Sequence, residues 1–102
     1  MVTIEQIRLH CRIDSDDEDS LLEHYRAAAY EALNAHTSRN WYGAADDIPA
    51  ADTDGIRLNS AANQAVLLLI GSWYANREAD RESTEIPAAY WHLIQPYRIY
   101  GV

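Results

Sequence analysis

Phenylalanine is absent from the 102 residues, and cysteine occurs once. Without phenylalanine, the ring content falls to three tryptophans and seven tyrosines, whose polar edges suit interfaces as well as cores. Cys11 has no second cysteine to pair with, so no internal disulfide ties the fold to an oxidising compartment. Basic residues are scarce: eight stand against sixteen acidic ones, a formal charge of −8. That balance repels polyanions and excludes binding of DNA or RNA by charge alone, and it argues against anionic membrane surfaces in the same way. The longest apolar run, Ala65 to Ile70, is far short of the about 20 residues that span a bilayer. Met1-Val2-Thr3-Ile4-Glu5 carries neither the basic stretch nor the apolar core of a signal peptide, so the expectation is a protein made in a cytoplasm.

What the chain does contain is helical signal in the amount one small domain needs, and a single domain over residues 1–102 is expected. Thr3-Ile4-Glu5-Gln6 has the form of a capping box, and Val2 with Ile7 the form of a hydrophobic staple, which predicts a short first helix over Ile4 to His10. The acidic run Asp14 to Asp19 precedes Leu21-Leu22, with Ser15 and Glu18 offering a second capping box. From there Leu21, Tyr25, Ala28, Ala32 and Ala35 recur at helical spacing, widened by Leu22, Ala29 and Leu33. A helix of about twenty residues ending near His36 or Thr37 follows.

Periodicity then disappears between Ser38 and Asn59, where Trp41-Tyr42 and Ile56-Arg57-Leu58 have the composition to pair as a small hairpin across a long loop. Ser60 is placed to cap a third helix with Ala62, Val66, Leu69, Trp73 and Arg77 on one face and Ala65, Ile70 and Tyr74 beside them. As the most apolar helix, it is expected at the centre of the core. Pro87 suits the first position of a short last helix that Pro96 stops, with Ala89, Leu93 and Tyr90 able to face the core. The fold class is therefore all-α: four helices, the second and third long, with a long loop between them.

Chemical motifs are thin. Asp14, Asp16 and Glu18 alternate like the first ligands of a calcium loop, but Asp19 stands where the loop needs glycine and Tyr25 where it needs glutamate. His10, His24, His36 and His92 lack zinc-site spacing. His10 and Cys11 are neighbours on a helix and point about 100° apart, so they do not form a nucleophile and base. No phosphate loop or nucleophile elbow is present. The reading is of a protein that is not an enzyme and uses no metal or cofactor. Candidate contact residues instead gather late in the chain: Arg77 and Glu78, which either pair at a helix end or reach a neighbouring subunit, and the cluster Trp91, Ile94, Tyr97, Arg98, Ile99 and Tyr100, which either folds back on the core or forms a patch that a partner covers.

Four phrases in order resemble the small head-tail connector, or adaptor, family of long-tailed bacteriophages and prophages. They are Val2 to Asp14, with its Leu-x-x-Arg-Ile-Asp ending; the acidic Asp16 to Asp19 leading into an alanine-rich helix; Gln64 to Ile70 with Trp73-Tyr74 and Asn76-Arg77-Glu78; and Ile86-Pro87 with Ile94 to Arg98. The resemblance implies a virion protein at the head-tail interface, a subunit of a ring homo-oligomer, expected to be a dodecamer. The ring would lie beneath the portal protein and meet a tail-completion or stopper protein on its other side. It also implies that genome DNA passes through the ring without specific binding, and no membrane is involved. The alternative from the residues alone is a small helical adaptor, unrelated to virions, that dimerises through its second and third helices; solution mass separates the two.

Overall fold

The structure is a computed structural model that describes residues 1–43, 46–76 and 86–99. It is mostly helical, in the order α1 (Ile4–Cys11), α2 (Asp19–Thr37), β1 (Trp41–Tyr42), β2 (Ile56–Arg57), α3 (Ser60–Asn76), α4 (Ala88–Ile94) and a closing 3-10 turn (Gln95–Tyr97).

α1 starts where its capping box predicts: the Thr3 hydroxyl accepts from the Gln6 amide and the Gln6 side chain accepts from the Thr3 amide. Val2 is only 3% exposed. Its amide donates to the Tyr30 hydroxyl at 2.8 Å, which in turn donates to Asn63, so one tyrosine of α2 joins the chain start to α3. α1 closes on Arg12 in the left-handed conformation, φ 59°, and Arg8 pairs with Asp19 at 3.1 Å across the acidic turn into α2.

α2 departs from expectation at its start and in its face. Ser15 and Glu18 form no capping box, because the acidic run makes a turn of its own and the helix begins behind Glu18 with no side-chain cap. The buried line is Leu22, Ala29, Leu33 and Thr37, with Tyr30 beside it, whereas Ala28 and Ala35 face out. Thr37 is the one buried polar residue among those described, and it is satisfied: its hydroxyl donates to the Leu33 carbonyl and accepts from the Trp41 indole nitrogen.

The loop between the long helices holds a two-stranded sheet, but β1 and β2 run parallel, with Trp41 opposite Ile56 and Tyr42 opposite Arg57. The hairpin expectation is thereby corrected. A hairpin needs the chain to reverse once; here the loop turns back on itself, so both strands leave in the same direction. Gly55 permits this closure, since a Cβ there would stand 2.8 Å from the Tyr42 ring and 2.9 Å from Ile48.

α3 touches each of the other three helices and buries Ala62, Ala65, Val66, Leu69 and Ile70, the central position its composition predicts. Its cap is Asn59, whose side chain accepts from the Ala62 amide, one residue earlier than the Ser60 expected. Buried side chains from all four helices form one cluster, in a body 41 × 30 × 18 Å across. The thin dimension accommodates two layers of helix.

Candidate functional site

α2 ends at Thr37, where the last turn of any helix leaves carbonyls without intrahelical partners. Here they are taken up from two sides. Ser38, left-handed at φ 58°, and Arg39 return their amides to the Asn34 carbonyl. The C-terminal tail serves two more: the Arg98 side chain donates to the His36 carbonyl at 3.1 Å, and the Ile99 amide donates to the Thr37 carbonyl at 3.0 Å. In return Arg39 donates to the Tyr97 carbonyl at 2.6 Å and, through its other nitrogen, to the Asp54 carbonyl.

Rings fill the space between these bonds. Tyr97 meets Trp41 edge-on at 5.3 Å, Trp91 lies 4.7 Å from the His36 ring, and the Arg98 guanidinium sits 5.2 Å from the Trp91 ring centre. Beneath them the Tyr90 hydroxyl is 2.7 Å from His36 Nδ1. Tyr90 is wholly buried, and burial pushes its hydroxyl up to about 12 against a small opposing pull from Arg98. Burial, with repulsion from Arg98, lowers the proton affinity of His36 below its ordinary value.

This arrangement decides several of the late-chain residues. Tyr97, Arg98 and Ile99 fold back on the end of α2, and together with Trp91 they remain half-buried. Ile94 is 0% exposed and belongs to the core, which corrects the expectation that it adds to an apolar surface. The reason is a rotation of α4: Tyr90 and Ile94, four residues apart, face inward, and Ala89 faces solvent. Arg77, Glu78 and Tyr100 lie outside the described residues. Tyr90 faces the core, as its place in the last helix allows, whereas nothing in the sequence marks His36 or Arg39 as parts of this seam, since their partners lie far along the chain.

A second organised region is the loop. The Asp52 carboxylate accepts from the Tyr42 hydroxyl and the Asn40 amide, which holds it below the usual carboxylate range and pushes the Tyr42 hydroxyl up. Arg57 donates to the carbonyls of Gly43 and Asp46. At the other end of α3, an open cleft of about 530 Å³ is lined by His10, Cys11, Leu68, Gly71, Tyr74 and Pro87 among others. Burial raises the Cys11 thiol, which makes it a poor nucleophile. Among the described residues no group of three or more histidine, cysteine, aspartate or glutamate side chains gathers to hold a metal ion, and no helix is long and apolar enough to cross a membrane.

The arrangement is a clasp of hydrogen bonds and tilted or edge-on ring contacts around a helix end. A family model described as phage gp6-like head-tail connector protein matches residues 1–98. No curated protein and no solved structure matches the chain.

Proposed function

The chain belongs to the phage gp6-like head-tail connector family, and on that premise we propose that it is a structural ring subunit, without catalytic activity, beneath the portal at the capsid vertex. The match over residues 1–98 carries this reading. The ring, with twelve subunits, meets the portal on one side and a tail-completion or stopper protein on the other, and genome DNA passes through its centre. The subunit is made in the host cytoplasm and takes its place in the virion at the head-tail interface.

A closed ring needs two different, complementary surfaces on each subunit. With −8 on every copy, neighbours repel unless the touching surfaces are apolar or of paired sign. Screening by salt, with a Debye length of about 8 Å near 0.15 M, therefore favours assembly. The same acidity supports passage of DNA without retention.

For the partner contact, the outward parts of Trp91, Tyr97, Arg98 and Ile99 form the docking surface, with the portal as occupant. Half-buried aromatic and arginine side chains around a clasped segment are the composition that protein interfaces favour. Arg77, Glu78 and Tyr100 are proposed as contacts on sequence grounds. Electron microscopy of the purified protein with the portal protein from the same virion tests the reading: rings bound coaxially to the portal support it, and dimers that ignore the portal refute it.

A further inference from the structure

We propose that the tail is a proton-sensitive latch: Tyr97, Arg98 and Ile99 stay clamped on the end of α2 while His36 is neutral and detach when His36 takes up a proton. The inference goes beyond the head-tail reading and stands or falls separately from it.

The geometry makes His36 a poor place for a charge. The buried Tyr90 hydroxyl keeps its proton and among the described residues has only His36 to give it to, so it donates across the 2.7 Å contact and His36 Nδ1 accepts. The neutral ring therefore carries its proton on Nε2. A second proton would have to go on Nδ1, facing the hydroxyl. The hydroxyl would then turn its own hydrogen away, and among the described residues it has no other hydrogen-bond partner.

The charged groups around His36 oppose protonation too. From the tail comes Arg98, whose guanidinium stacks on Trp91, the same indole that lies 4.7 Å from the imidazole. Arg39, just past the end of α2, is turned to the Tyr97 and Asp54 carbonyls, and Arg98 is the charge that acts on His36. From α4 comes only Tyr90, since His92 on that helix is exposed. No carboxylate among the described residues is paired with His36.

Which part yields follows from burial. Tyr90 lies in the core, whereas the tail is half-buried, and its hydrogen bonds and ring contacts lie at the surface end of α2. Local opening takes the weakly held element first. Once the tail leaves, Arg98 leaves with it and the imidazole gains access to water, so the open form binds the proton more tightly. The closed form is thus fully favoured above the ordinary histidine value of about 6.5 and loses ground as pH falls below it, up to tenfold for each pH unit by which the clamp depresses His36.

The test uses the full chain. Histidine ring resonances and amide hydrogen exchange are followed between pH 7.5 and 5, with exchange corrected for its intrinsic pH dependence. The expected result is that His36 titrates below the ordinary value and that protection of the Ile99 amide falls relative to the Leu33 amide over that range. In Arg98→Gln the His36 midpoint rises, and in His36→Gln the fall in Ile99 protection disappears. Constant Ile99 protection while His36 titrates overturns the proposal, as does the same fall in His36→Gln. Should His36→Gln fail to fold, Arg98→Gln decides, because an unmoved His36 midpoint there also overturns it.

Discussion

His36 Nδ1 stands 2.7 Å from the hydroxyl of Tyr90, a contact that joins the last turn of α2 to the inward face of α4 across 54 positions of sequence. It gives a wholly buried hydroxyl its partner and positions the imidazole beneath Trp91 and Arg98. The seam between the tail and α2 is built on it.

Tyr90→Phe keeps the ring and removes the hydroxyl, leaving Nδ1 unpaired at a half-buried site. The expected loss is about 1–2 kcal/mol. In a domain of this size that lowers the melting temperature by about 4–8 °C for each kcal/mol, readable by thermal denaturation. An unchanged melting point would mean that the contact is not made in solution.

Removing the residues after Gln95 takes away the donors to the His36 and Thr37 carbonyls and the acceptor of Arg39. The freed groups recover water, so the helices persist. Circular dichroism is expected to show a native helical signal with stability reduced by about 1–3 kcal/mol. Equal stability of the truncated and full chains would show the tail to be unattached.

The two capping boxes read from sequence, one before α1 and one before α2, make a paired test, since the first forms and the second does not. Thr3→Ala removes an accepting hydroxyl and is expected to cost about 1 kcal/mol. Ser15→Ala is expected to change stability by less than about 0.5 kcal/mol, because Ser15 caps nothing. Denaturant titration of both variants distinguishes them.

Asp52 holds the loop through Tyr42 and Asn40. In Asp52→Asn the carboxylate that opposes ionisation of Tyr42 is gone, so Tyr42 is expected to ionise at lower pH than in the parent chain. Ultraviolet difference titration reads this directly, with Tyr42→Phe identifying the affected ring.

Much of this architecture is legible in the sequence where its causes are local. The α1 cap depends on residues three apart, and α3 is apolar enough to be recognised as central. The face of α2 is less legible because alanines stand on both sides of it, and Ala28 and Ala29 differ only in which neighbour they meet. α4 has two turns and apolar residues nearly all round, so nothing in its pattern selects Tyr90 and Ile94 over Ala89. The parallel run of β1 and β2 is set by the path of the loop, not by the strands. The tail seam is the least legible of all: His36 stands alone in sequence, and its partners are supplied by residues 90, 91 and 98. Of the two alternatives left open for the late aromatic residues, the described ones, Trp91, Tyr97, Arg98 and Ile99, fold back against the end of α2.

As a member of the head-tail connector family, the chain is proposed to form a ring on the portal. Electron microscopy of the full chain mixed with its portal protein near 0.15 M salt tests it most directly. The expected result is a coaxial ring of about twelve subunits capping the portal, held better as salt rises from low values. Particles that remain monomers or dimers beside bare portals at every salt concentration would contradict it.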